Sequence, residues 1–125
     1  MITGYDHVQI AIPAGGEEVA RTFYRGILGM TEQRKPPALA VRGGCWFVAG
    51  VAVLHLGVED PFVPAGKAHP AFLVTDLDGL SLTLAAAGAT LSWSSGEIPG
   101  VRRFHTTDPF GNRLEFQAVR ADGCE

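Results

Sequence analysis

Cysteine is scarce in this chain: among 125 residues only Cys45 and Cys124 occur. Two cysteines are too few for a disulfide framework, and their spacing matches no thiolate zinc motif, so a reducing, cytoplasmic setting is expected. Long apolar runs are missing as well. No stretch approaches the roughly 18 residues that a membrane span needs, which excludes a membrane role. Tyr5-Asp6-His7 interrupts the first residues before a signal-peptide core could form. An excess of positive charge is also lacking: 10 basic residues stand against 13 acidic ones, a net charge of −3. Without a basic run or stripe, nucleic acid is excluded as a partner. The one dense cationic pair, Arg102-Arg103, is sufficient only for a single anionic group on a small molecule. What is present, 46% hydrophobic and 18% charged residues, suits a globular protein with a real core.

The segment His7-Val8-Gln9-Ile10-Ala11-Ile12 alternates, with Val8, Ile10 and Ile12 on one face and His7, Gln9 and Ala11 on the other. That is the pattern of a strand with one face on a core. Val19, Ala20, Phe23, Tyr24, Ile27 and Leu28 then recur at helical spacing, and Gly29 stops the helix. Strands are expected over about 31–35, 45–48 and 51–58, the last two joined by a tight Ala49-Gly50 turn. The second half repeats the order. A strand over 69–74 precedes a helix capped by Asp76, with Leu77, Leu80, Leu84 and Ala87 as its stripe and Gly88 as its stop. Strands follow over about 90–93, 102–107 and 113–119, and Asp108-Pro109-Phe110-Gly111-Asn112 turns between the last two. The fold class is therefore α+β: two βαβββ modules, about 4–60 and 66–120, in a single domain spanning 1–125 with a loose tail at 121–125. The expected architecture is a curved mixed sheet around a metal cavity, with the helices outside.

His7 and His69 open the two halves, 62 residues apart. The same offset carries His55 to a position two residues beyond Glu115, and an even shift preserves strand facing. In all four strands the candidate residue lies opposite the more apolar face. His7, His55, His69 and Glu115 thus form a candidate set of metal ligands, with His55 the weakest of the four because its match needs a deletion. A lone strand histidine is usually a half-buried polar side chain, and a lone strand glutamate is usually solvated or paired with an arginine such as Arg113. The repeat raises all four above that background. Imidazole and carboxylate without thiolate suit one divalent metal ion such as zinc, iron, nickel, manganese or cobalt. His105 and Arg103 share a strand face, which makes His105 a candidate acid or base beside Glu115 and Arg103 a candidate anion contact. Gln9 shares the His7 face and is a candidate substrate contact. Trp46 is a candidate pocket wall, although a core tryptophan is the commoner reading.

These residues also carry a resemblance. Asp6-His7-Val8-Gln9-Ile10-Ala11-Ile12, Phe23-Tyr24-Arg25-Gly26-Ile27-Leu28-Gly29-Met30, His69-Pro70-Ala71-Phe72-Leu73-Val74 and Asp108-Pro109-Phe110-Gly111-Asn112-Arg113-Leu114-Glu115 are similar to the vicinal oxygen chelate superfamily. That superfamily includes glyoxalase I, fosfomycin-resistance and bleomycin-resistance proteins, and extradiol dioxygenases. The resemblance places metal positions at His7, His55, His69 and Glu115. It implies a metal that chelates two neighbouring oxygens of a small-molecule substrate and stabilises an oxyanion or enolate. It also implies a homodimer in which units of two chains combine to complete each site. Glyoxalase I-like proteins carry a carboxylate where this chain has His55, so the reaction is left open among lyase, isomerase, transferase and dioxygenase. The alternative is a metal-free dimer of the bleomycin-resistance type that sequesters a small molecule. A third reading is a sensing module with an idle metal site.

Overall fold

Each half of the chain closes the same hydrogen-bonded pattern, in which a first strand runs parallel to the last and the two middle strands extend that sheet antiparallel. The computed structural model describes residues 1–119 and divides the chain into two units, one spanning Met1–Pro64 and the next beginning at Ala65. The expected tail at 121–125 lies outside the described residues. Among the described residues no helix is long and apolar enough to cross a membrane.

In the first unit, β1 (Val8–Ile12) leads through α1 (Glu17–Ala20) to β2 (Thr31–Gln33), α2 (Pro37–Ala40), β3 (Cys45–Ala49) and β4 (Ala52–Val58), in the sheet order β1-β4-β3-β2. The single helix expected after β1 instead widens into a π-helix over Arg21–Ile27. Its end is closed by long backbone bonds from Leu28 to Phe23 and from Met30 to Tyr24. Ala20, Phe23 and Tyr24 from this helix are buried together with Ile12, Phe47, Leu54 and Leu56 of the sheet. The Tyr24 ring stacks at 5.7 Å on Phe47. The helix α2 has no counterpart in the sequence expectation, because a single turn opened by Pro36-Pro37 is too short to show a period. Just before β3, Gly44 (φ +85°) donates its N–H to Glu17 at 2.8 Å. A side chain there would overlap the Leu56 carbonyl.

In the second unit, β5 (Ala71–Val74), α3 (Leu77–Ala86), β6 (Ser92–Ser95), β7 (Arg102–Thr107) and β8 (Arg113–Ala118) follow the order β5-β8-β7-β6. Asp76 caps α3 as expected, accepting the Gly79 N–H at 2.9 Å. The strand expected to start at His69 begins at Ala71, since Pro70 has no N–H to give the ladder, although its carbonyl still accepts from Glu115 at 3.0 Å. The strand expected over 90–93 lies at Ser92–Ser95, because the Thr90 carbonyl is taken by the Thr106 hydroxyl at 2.8 Å.

Register sorts the second sheet into two unlike faces. Phe72, Phe116, Phe104 and Trp93 are direct cross-strand neighbours over all four strands, and successive rings lie 5.0–5.5 Å apart. The rows on either side of this aromatic ladder face the other way: Ala71, Glu115, His105 and Ser92 in one, Leu73, Gln117, Arg103 and Ser94 in the next. The turn between β7 and β8 holds this register. Buried Asp108 accepts from the Phe110 N–H, the Asn112 N–H and the Asn112 side-chain amide, each at 2.9 Å, while its own N–H bonds the Asn112 carbonyl at 2.8 Å. Replacing Asp108 by alanine strands those buried donors, so D108A should lose about 2–3 kcal/mol of stability. Urea unfolding measures this, and a loss under about 0.5 kcal/mol would remove the turn from its place as the register clamp.

Candidate metal centre

The even-numbered register just described brings four side chains of the second unit onto one carboxylate. Glu115 stands opposite His105 across the β7–β8 hairpin, is 4% exposed, and receives a different kind of partner at each oxygen. Its Oε2 accepts from Arg103 at 3.1 Å and from Gln117 at 2.7 Å. Its Oε1 faces two imidazole nitrogens, His69 Nε2 at 2.8 Å and His105 Nε2 at 3.1 Å. One oxygen is therefore anchored by donors, and the other is presented to the histidines. Burial would raise the Glu115 pKa, but the hydrogen bonds from Gln117, His69 and Arg103 outweigh it and hold the carboxyl at about 2.

The tautomer of His69 bears on what Oε1 is built to meet. His69 Nδ1 lies 2.9 Å from the Lys67 carbonyl, and a carbonyl can only accept, so Nδ1 carries the proton. Nε2 then meets the carboxylate oxygen either through the proton that helps hold Glu115 low or, once that proton leaves, as a bare lone pair. Two lone pairs at that separation require a proton or a cation between them. Burial lowers the His105 pKa, against the opposing pull of Glu115, which favours a neutral ring there with a nitrogen able to bind metal. One ligand atom from each of His69, His105 and Glu115 lies within 4.8 Å of the other two. Two imidazoles and a carboxylate, with the carboxylate's second oxygen hydrogen-bonded and one histidine oriented by a backbone carbonyl, fit a divalent ion.

The first unit assembles the equivalent positions differently. In both units the residue two past the opening histidine is the strand partner of the candidate ligand: Gln9 pairs with His55, and Ala71 with Glu115. The equivalence of His55 and Glu115 proposed from the offset is thus repeated in the strand pairing. Trp46 stands opposite His55 as His105 stands opposite Glu115. Instead of an ion-paired hub, the first unit has a stack: His55 lies between His7 and Trp46, each at 3.9 Å, with interplanar angles of 19° and 3°. His55 is 8% exposed, and burial followed by the neighbouring His7 pushes its pKa down. His7 Nδ1 donates to Asp6 at 2.8 Å, leaving Nε2 open. Gln9 lies against Gly57, where a Cβ would meet its amide.

The sequence-derived residues accordingly separate into His7, Gln9, Trp46 and His55 in the first unit and His69, Arg103, His105 and Glu115 in the second. The arginine paired with Glu115 is Arg103 rather than the nearer-in-sequence Arg113, because Arg103 lies one row over on the adjacent strand, opposite Gln117. Arg103 is also held by Glu97 at 2.9 Å. The place of His105 among the ligand candidates was readable in advance: counting outward from the Asp108–Asn112 turn pairs Thr107 with Arg113, and so His105 with Glu115.

Glu115 also sets an acid limit on the metal-free protein. Its folded pKa lies below the value of an unfolded glutamate, so its stabilising contribution is present above about pH 4.5 and is lost as the pH falls toward about 2. E115Q should lower the melting temperature at pH 7 and flatten the decline between those pH values. Parallel melting curves for both proteins throughout the range would remove Glu115 as the acid-sensitive group.

Comparison with known proteins places the family and the fold. The family model for the Glyoxalase/Bleomycin resistance protein/Dioxygenase superfamily matches residues 4–116. No curated protein matches the sequence. Among solved structures, the chain is similar to a glyoxalase family protein from Bacillus anthracis, with 47% identity and a TM-score of 0.89 over 94% of this chain and 96% of that one. It shares its fold with a variant of the fosfomycin resistance protein FosX from Listeria monocytogenes, complexed with manganese(II) and 1S,2S-dihydroxypropylphosphonic acid. The identity is 17% and the TM-score 0.77, covering 98% and 96% of the two chains. It also shares its fold with TnmS3, an antibiotic binding protein from a Streptomyces species, at 20% identity and a TM-score of 0.70 over 94% and 98%. With its two βαβββ units and a family match over almost its whole length, the chain belongs to the Glyoxalase/Bleomycin resistance protein/Dioxygenase superfamily.

Proposed function

We propose that this protein is a metal-dependent enzyme that binds a small substrate through adjacent oxygens and stabilises an oxyanion or enolate. His69, His105 and Glu115 of the second unit are the side chains that would hold one divalent ion. The observation that carries the proposal is Glu115 Oε1, faced by two imidazole nitrogens while Oε2 is tied down by Arg103 and Gln117. A purely structural carboxylate needs no second histidine on an oxygen whose partner oxygen is already satisfied. When bound, a divalent ion supplies Lewis acidity toward a substrate oxygen. The chain's own residues then have separable tasks. Arg103 and Gln117 fix the carboxylate plane, the Lys67 carbonyl fixes the His69 ring, and burial, by lowering the His105 pKa, keeps that ring neutral so that Nε2 can serve as a ligand.

The donor set excludes neither zinc, iron, nickel nor manganese. Cys45 offers no thiolate, being buried in the first unit's core with its pKa raised by burial. The manganese complex of FosX supports a divalent ion in this fold. The resemblance carries a homodimer with it, for which light scattering after size exclusion would read twice the 13.2 kDa chain mass.

Elemental analysis of the purified, untagged protein tests the metal. One divalent ion per chain is expected, with affinity falling at least about tenfold in H69A and E115Q. Protein that takes up no divalent ion, even after incubation, would end the metalloenzyme reading and favour a sequestering dimer. The sequence pattern also assigns ligand roles to His7 and His55. Weakened metal binding in H7A or H55A supports those roles, and full affinity confines the ligands to the second unit.

A further inference from the structure

The polar face of the second sheet continues past Glu115 into a cleft of about 600 Å³, lined among others by Ser92, Ser94, Arg103, His105, Thr107 and Arg113. Two of these residues, Arg103 and His105, already touch Glu115. The remaining cation is Arg113. It lies two residues before Glu115 on β8 and so on the same face, roughly 7 Å along the strand. Arg103 and Arg113 differ in what their charge meets. Arg103 is shared between Glu97 and Glu115. Arg113 is half-buried and makes no ion pair among the described residues.

The repeat shows that the strand pairing has no need of this charge. Arg113 pairs with Thr107 in the second unit, and the equivalent pair in the first unit is Val53 with Val48. A guanidinium and a hydroxyl have thus been placed where the same backbone accepts two valines. Farther along the cleft, β6 adds Ser92 in the next row, opposite His105, and Ser94 two rows from Arg113, opposite Arg103, where Glu97 also lines the wall. A half-buried guanidinium that makes no ion pair among the described residues, with a threonine hydroxyl as its cross-strand partner, is a setting for an oxyanion.

We propose that the Arg113 end of this cleft is an oxyanion subsite, in which Arg113 with Thr107 takes a carboxylate or phosphate group of the substrate. The proposal rests on the reading of the adjoining His69–His105–Glu115 cluster as the reactive end of the same substrate. It narrows that substrate to a small anion whose charged group stands apart from its metal-binding oxygens. It also separates the two arginines: Arg103 positions Glu115, and Arg113 contacts the ligand.

The test is calorimetric titration of chelator-treated, metal-free protein with inorganic phosphate and, separately, with acetate. At least one anion should bind, and R113Q and R113V should weaken it about tenfold or more. R113V introduces the residue the first unit carries at the equivalent position, so folding should survive, and thermal melting checks it. Tighter binding of phosphate assigns a phosphate-type group, and tighter binding of acetate assigns a carboxylate. Anion affinity unchanged in a folded R113Q or R113V, or no anion binding by the parent protein, would overturn the subsite. Metal content is measured separately on reloaded samples. If the variants lose anion binding but keep the parent's metal, both readings stand; if the parent takes up no metal, only the metal reading falls.

Discussion

A carboxylate that is only 4% exposed must have its charge compensated, and Glu115 meets that demand with four side chains from three sources. Arg103 and His105 come from the neighbouring strand, Gln117 from its own strand, and His69 from the segment before β5. Each of them has to arrive on the same face of one sheet. A slip of one residue in β7 or β8 would send Phe104 or Phe116 toward the polar side and Glu115 into the apolar one. The aromatic ladder opposite therefore guards the site: Phe104 and Phe116 are buried, with Phe72 and Trp93 flanking them, only in the register that also gathers Glu115, His105 and Ser92. Asp108 fixes the same register from the hairpin end by closing its turn onto Asn112.

The two units show how one backbone plan accommodates two electrostatic solutions. Where the second unit places a carboxylate opposite an imidazole, the first places an imidazole opposite an indole. A buried carboxylate in the first unit would need donors, yet Gly44 and Gly57 stand at the positions where the second has Arg103 and Gln117. A neutral ring carries no charge to compensate. Burial lowers the His55 pKa, and flat stacking on Trp46 and His7 packs both faces of the ring. The departure at His55 from the carboxylate of glyoxalase I-like proteins is thus matched by its surroundings.

Much of this was legible in the sequence because it depends on a period of two. Alternation placed His7, His55, His69 and Glu115 opposite the apolar faces, the repeat suggested the equivalence of His55 with Glu115, and the strand 102–107 lies where it was expected. The helix α3 was readable from Asp76 and its leucine stripe. What escaped the pattern depends on interactions across the sheet. That Arg103 rather than Arg113 holds Glu115 follows from a one-row offset between β7 and β8, which sequence distance along one strand does not express. The π-helical continuation after Ala20 buries Ala20, Phe23 and Tyr24 of the expected stripe and leaves Val19 exposed, a difference that helical periodicity does not express. The stack of Trp46 on His55 needs the β3–β4 pairing before a tryptophan can be told from an ordinary core residue.

The contrast between Arg103 and Arg113 also bears on how such a site can change its ligand without losing its fold. Arg103 is bound to the carboxylate that organises the histidines, so altering it disturbs Glu115 whatever ligand is present. Arg113 has no such obligation among the described residues, and its equivalent in the first unit is a valine. Residues of the first kind hold the geometry on which chemistry depends. Residues of the second kind, standing on the same polar face but outside the hydrogen-bonded hub, are where charge and size can vary at little cost to the sheet. In this chain the division falls along a single strand, between Glu115 and the residue two positions before it.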